Sequence, residues 1–249
     1  MSEIGYTVED HVAVITLQAP ERRNALSVEM AGALTEAALT AEADESVGAV
    51  VVTGGRHFCA GAARDVLADA GVDPTEDSRY RTLGAVYEAF TRLGGIGLPT
   101  VAAVRGAAVG AGLNLALATD LRIVSRTARL LPGFAQIGIH PGGGHFTLLS
   151  RVAGREAAAA MGLFGEEADG ERAVQLGLAW AAYDDEDVER EAIGLARRVA
   201  KDPALARRLV ASFRLQTTAG GLPWAAAVEL ERAPQMWSLR RKHGAPAPG

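Results

Sequence analysis

The stretch Val104-Arg105-Gly106-Ala107-Ala108-Val109-Gly110-Ala111-Gly112-Leu113 lies between two different patterns. Before it, Pro99 to Val104 reads PTVAAV, an apolar β-branched run that predicts a core strand. After it, Ala111 to Ala118 predicts a short buried helix and Leu121 to Val124 the next strand. Strand, small-residue turn, helix and strand in succession indicate an α/β fold. Small residues let a backbone approach a ligand closely, and the first N–H groups of a helix have no intrahelical acceptor. The turn can therefore offer an N–H to an anion or to an oxygen that is becoming negative. The same residues would equally serve close packing of a buried helix, and the local pattern leaves both readings open.

Working outward, His11 to Gln18 and Val50 to Thr53 predict buried strands. Between them, Ser27 to Ala43 carries Val28, Ala31, Leu34 and Ala38 at helical spacing, with Ser27 as N-cap and Glu29 in the first turn. Ala70 to Arg79, polar with Gly, Pro and acids, predicts a surface loop. From Gly144 onward the strand signal disappears. Helical patterns follow at Thr147–Val152, Arg155–Met161, Gly170–Leu176, Asp187–Ala200, Pro203–Phe213 and Trp224–Ala233, with Gly154 and Gly177 at helix C-termini. The expected organisation is an α/β core over 1–150 and a helical region over 151–249. No linker composition separates them, so they read as one continuous folded unit.

Composition narrows the function. The 249 residues hold 25 Lys plus Arg against 30 Asp plus Glu, a net charge of −5 that argues against nucleic acid as a partner. Cys59 is the one cysteine, so no intramolecular disulfide can form, and no Cys/His cluster has the spacing of a zinc site. Apolar runs stop well short of the ~20 residues that span a bilayer and the N-terminus lacks a signal-peptide pattern. No membrane association and a cytoplasmic location are expected. A dinucleotide fingerprint fits poorly, because Leu115 stands where G-x-G-x-x-G needs its last glycine and no acidic partner follows cleanly, which puts a nicotinamide oxidoreductase third among the readings; no phosphate-binding G-x-x-x-x-G-K-[ST] occurs.

Two further small-residue turns accompany the first: Cys59-Ala60-Gly61-Ala62-Ala63 and Pro141-Gly142-Gly143-Gly144. Taken with Pro20-Glu21-Arg22-Arg23-Asn24-Ala25-Leu26, His57-Phe58, Thr119-Asp120-Leu121-Arg122-Ile123 and Gly138-Ile139-His140, their order and separations resemble the crotonase family, or enoyl-CoA hydratase/isomerase superfamily. Gly165-Glu166 and Glu171 to Leu178 continue the resemblance, which covers residues 11 to 237. It implies repeated ββα units forming a spiral core, a helical C-terminal region used for trimerisation, and assembly as a homotrimer or hexamer. It also implies an acyl-CoA substrate, with coenzyme A entering as part of that substrate and no separate cofactor. The family's shared step is stabilisation of a thioester enolate by two backbone N–H groups, here those of Ala62 and Ala111. Arg23, Ala25, Leu26 and Ala60 would border the coenzyme A moiety, and Gly110 would shape the second donor turn.

The chain departs from the hydratase branch where that branch carries two glutamates to hold and activate water. Asn114 stands at the first position and Phe134 at the second, seven residues before Pro141. An amide can orient a water or a carbonyl, but neither side chain exchanges a proton near neutral pH. The aspartate that isomerases often place after the proline of the third turn is Gly142 here, and Ala63-Arg64 replaces a usual Asp followed by Leu or Ile. His140 is the first candidate acid/base, with His145 following Gly144. Asp65 can reach the pocket or cap the helix beginning near Val66. Arg240, Arg241 and Lys242 can meet coenzyme A phosphates or form a solvated tail. The expected function is a crotonase-like enzyme working through an oxyanion hole, with reaction type open. The competing reading is an acyl-CoA-binding protein of the same fold without catalysis.

Overall fold

The computed structural model describes residues 3–73 and 76–217, together with 226, 230 and 232–237. Two antiparallel strands, β1 (Ile4–Glu9) and β2 (Val12–Leu17), turn at Asp10 and His11, both at positive φ. Parallel strands then follow: β3 (Ala49–Thr53), β4 (Thr100–Val104), β6 (Leu121–Ser125) and β8 (Ala181–Tyr183) complete a six-stranded sheet in the order β1-β2-β3-β4-β6-β8. A small parallel pair, β5 (Ala107–Val109) and β7 (Arg129–Leu131), stands apart.

The strands alternate between two cores because successive side chains leave a strand on opposite faces. Val50 and Val52 join the larger cluster, with α1 (Val28–Ala43), α3 (Asp77–Gly95) and α4 (Ala111–Ala118). Ala49 and Val51 join the other, closed by Val188, Ala192, Ala196 and Ala200 of α7 (Val188–Ala200). Ser27 caps α1 as the sequence indicates, its Oγ accepting from Met30 N at 3.1 Å. The C-terminal glycine at 154 also holds: helix α5 (His145–Gly162) breaks at Gly154, φ 78° and ψ 174°.

Two expectations need correction. The strand signal does not end at Gly144, since β8 extends the sheet beside β6; its three half-buried residues, Ala-Ala-Tyr, are too short and too alanine-rich to register as a strand pattern. The loop expected over Ala70 to Arg79 is mostly helical: α2 (Arg64–Val72) ends there and α3 begins at Asp77. What fixes α3 is its far half, where Val86, Ala89, Phe90 and Leu93 are buried at helical spacing against α1 and α4. Burying Phe90 alone contributes about 2–3 kcal/mol, so packing overrides a polar, weakly patterned first turn. Helices α6 (Gly170–Gln175) and α8 (Pro203–Thr217) complete the described elements. The helix expected over Trp224–Ala233 falls largely outside the described residues, and Arg240, Arg241 and Lys242 wholly outside them.

Candidate active site

Asn24 sets the first half of the site. Its Oδ1 accepts from Ala19 N at 2.8 Å, and its Nδ2 donates to the carbonyls of Gly54 at 2.9 Å and His57 at 2.6 Å. One buried amide thus ties the 19–26 turn to the end of β3 and to the start of the next turn. Leu26 then pairs with Ala62 in a parallel bridge, through Leu26 N to Gly61 O at 2.7 Å and Ala63 N to Leu26 O at 2.8 Å. Ala60 N donates to Arg23 O at 3.0 Å, so the 23–26 segment, with Arg23, Ala25 and Leu26, lies beside the Ala60 turn.

The second turn docks on the first. Cys59 pairs with Ala108, and α4 then starts so close that a Cβ on Gly112 would run into the Cys59 carbonyl oxygen, with Cys59 Cβ at 2.8 Å. Only glycine allows this approach. Gly61, at φ 103°, faces the start of the same helix: a Cβ built there would stand 2.9 Å from Val109 O and 3.8 Å from Ala111 N. The Gly61–Ala62 turn and the first amide of α4 are therefore close neighbours. Among the described residues neither the Ala62 nor the Ala111 amide has a backbone or side-chain acceptor: the Ala62 bridge uses the N–H groups of its neighbours, and Ala111 is the first residue of α4.

The third turn supplies side chains. Asn114, 1% exposed on α4, donates from Nδ2 to Gly142 O at 3.0 Å, and its Oδ1 lies 2.7 Å from His145 Nδ1. His145, also 1% exposed, packs the edge of its ring against Phe134 with centroids 5.0 Å apart, and its Nε2 has no partner among the described residues. Burial pulls its pKa from 6.5 to about 4. Phe134 in turn reaches Gly110, whose added Cβ would meet the phenyl at 3.6 Å. A Cβ on Gly142 would run into the Tyr87 hydroxyl of α3, so this tyrosine stands where the third turn has no side chain of its own. Behind the turn a cleft of about 360 Å³ opens between Phe90, Ala118, Gly143 and Leu148.

The remaining candidates are placed differently. His140 is exposed, with Nδ1 2.7 Å from Pro141 O, and its ring meets Phe146, which also touches His145. Asp65 is exposed in the first turn of α2, accepting from Val66 N at 2.9 Å, while Ala63 holds the N-cap position. Arg22 is held by Glu3 at 2.5 Å and by Ala25 O at 3.0 Å; Arg23 is exposed. Cys59 is fully buried and its thiol is pushed up to about 12, so it stays protonated and unreactive. Asp120 is structural, accepting from Thr100 N and Arg214 Nη2, each at 2.8 Å. No group of three His, Cys, Asp or Glu suited to a metal occurs among the described residues, and none of their helices is long and apolar enough to cross a membrane. The sequence points to His140 first and to His145 directly after the triple glycine, and carries no local signal that would bring Tyr87 of α3 to this turn.

The family model for enoyl-CoA hydratase/isomerase matches residues 7–237. The chain belongs to the enoyl-CoA hydratase/isomerase family. It is 42% identical over 243 residues to a probable enoyl-CoA hydratase of Mycobacterium tuberculosis, covering 94% of this chain and 91% of the relative. It is 37% identical over 209 residues to the 1,2-epoxyphenylacetyl-CoA isomerase of Escherichia coli, covering 82% and 78%. Among solved structures, an enoyl-CoA hydratase from Thermobifida fusca in complex with CoA superimposes with a TM-score of 0.83 at 30% identity, covering 98% of this chain and 95% of that one. The fold is the crotonase fold, and this member of the hydratase/isomerase family is a crotonase-type enzyme that processes acyl-CoA thioesters.

Proposed function

We propose that the amides of Ala62 and Ala111 hold the thioester oxygen of an acyl-CoA while negative charge builds on it, so that this enzyme works through an enolate. The closeness of two unpaired backbone donors, where Gly61 meets the start of α4 at Ala111, carries the reading. Arg23, Ala25, Leu26 and Ala60 border the coenzyme A moiety, with the exposed Arg23 guanidinium suited to its phosphates. Coenzyme A is the one non-protein group the reaction needs. Asn114 and Phe134 leave the site without a carboxylate pair to activate water, which favours proton movement at the carbon beside the thioester over hydration. The acid/base that the sequence puts at His140 would act from the exposed rim of the third turn. Leu209, Phe213 and Leu215, about half exposed on α8, support a homotrimer or hexamer, and the protein is cytoplasmic in this reading.

The test is mass spectrometry of saturated and unsaturated acyl-CoAs incubated in D₂O with the wild type and with Ala111→Pro. Proline is tolerated at the first helical position and removes the donor. Deuterium uptake or a new product, reduced ~10²–10³-fold in the variant, is expected. Equal turnover by both proteins would sink the oxyanion-hole assignment.

A further inference from the structure

We propose that the His145 imidazole is the general base of this site, removing the proton from the carbon beside the thioester carbonyl through Nε2, and that Asn114 is the residue that positions it. The proposal rests on the enolate reading above. Its basis is a hydrogen-bond chain with one possible direction. Gly142 O can only accept, so the Asn114 atom 3.0 Å from it is the amide nitrogen, and the atom 2.7 Å from His145 is the carbonyl oxygen. That oxygen also only accepts, so His145 Nδ1 carries the hydrogen. In the neutral ring the lone pair is then on Nε2, the atom left without a partner among the described residues although the side chain is buried.

A bare buried nitrogen is costly in a finished core and useful at a reacting centre. Its location fits the second case. Asn114 stands one helical turn after Ala111 on α4, on the same face as the proposed donor. Phe134, whose ring packs on His145, also reaches Gly110. The imidazole thus lies between Asn114 and Phe134, the two positions at which hydratases carry their glutamates, and it stands in for both.

The electrostatic setting favours the neutral ring. The low pKa has burial as its single cause. Of the elements around His145, α3 brings the Tyr87 hydroxyl to Gly142, α4 carries no titratable residue, the 132–144 segment carries His140 beyond Phe146, and on α5 the nearest charge is Arg151. In the step, the C2–H bond breaks and its proton moves to Nε2. The electron pair passes to the thioester oxygen between the Ala62 and Ala111 amides. The imidazolium then returns a proton to C2, or to C4 of an unsaturated chain. Phe134, half-buried, is the side chain that yields as the substrate carbon arrives.

The experiment follows C2 deuteration of butyryl-CoA and double-bond migration in a 3-enoyl-CoA by the full-length wild type, Ala111→Pro, His140→Gln, His145→Gln and His145→Gly, with thermal melting of each. His145→Gln is expected to lower kcat ~10²–10⁴-fold with a much smaller change in KM. Free imidazole and methylimidazoles restore His145→Gly at rates that follow the basicity of the added base, a dependence that a structural role would not produce. The wild type itself, needing no variant, keeps a level pH profile from about 5.5 to 8 and loses activity only as the buried ring protonates. Turnover that is lost in Ala111→Pro but kept within tenfold in His145→Gln overturns the assignment and leaves the enolate reading intact. So does loss confined to His140→Gln, rescue indifferent to basicity, or an acid limb centred at 6.5 or above. A wild type inert toward both thioesters overturns both readings.

Discussion

The turns at 59–62 and 110–112 and the turn at 141–145 are all rich in small residues, yet the two regions work in different ways. In the first region small residues bring backbone against backbone: Gly112 lies on the Cys59 carbonyl, Gly61 on Val109 O, and what emerges is a pair of main-chain N–H groups. In the second region they make room for side chains from elsewhere, the Tyr87 hydroxyl at Gly142 and the His145 ring against Asn114. A main-chain donor survives substitution of its own side chain, so the first region is uniform in chemistry. The groups brought to the second region are side chains, each replaceable without moving the main chain.

Matched substitutions should separate the two regions most sharply. Gly112→Ala drives a methyl into backbone and should abolish cooperative melting or cost several kcal/mol, about 3–5. Gly142→Ala meets only the end of a tyrosine side chain and should cost about 1–2 kcal/mol, partly recovered when combined with Tyr87→Phe, which removes the hydroxyl but keeps the ring carbon 2.9 Å away. Urea denaturation of the variants reads both; equal costs at 112 and 142 would break the distinction. Next in size is Asn24→Ala, which strands the Ala19 N–H and the Gly54 and His57 carbonyls and leaves alanine at φ 56°; a loss of about 3 kcal/mol is expected in the same titration.

A smaller effect concerns pH. The His145 pKa is lower in the fold than in the unfolded chain, so between 6.5 and about 4 the unfolded state binds a proton that the folded state refuses. Stability should fall as pH drops through that window, and His145→Gln should flatten the fall; an unchanged slope would show that the ring is not buried neutral. Smallest of all, the Cys59 thiol should remain unmodified by an alkylating reagent at pH 8 in the native protein and react once on unfolding.

The readability of the two regions follows the same division. The strands around β3 and β4, the cap at Ser27 and the breaks at Gly154 and Gly177 are local signals, and the structure keeps them. The close approaches at Gly61 and Gly112 were legible because a glycine demanded by close approach leaves a gap in side-chain chemistry that is visible in one dimension. Helix α3 was not legible, since its first turn is polar and only tertiary burial of Val86, Ala89, Phe90 and Leu93 fixes it. Strand β8 owes its existence to β6 beside it.

The choice between His140 and His145 shows the limit. Five residues apart on one turn, they carry the same side chain and the same local claim to acid/base chemistry. By itself the sequence determined the α/β order, the family and the absence of both glutamates, all of which depend on residue identity and spacing along the chain. Only the tertiary structure decided that His140 faces water while His145 is buried, oriented by Asn114 and bare at Nε2, because burial and hydrogen-bond direction depend on residues from α4 and the 132–144 segment that meet the ring only in three dimensions.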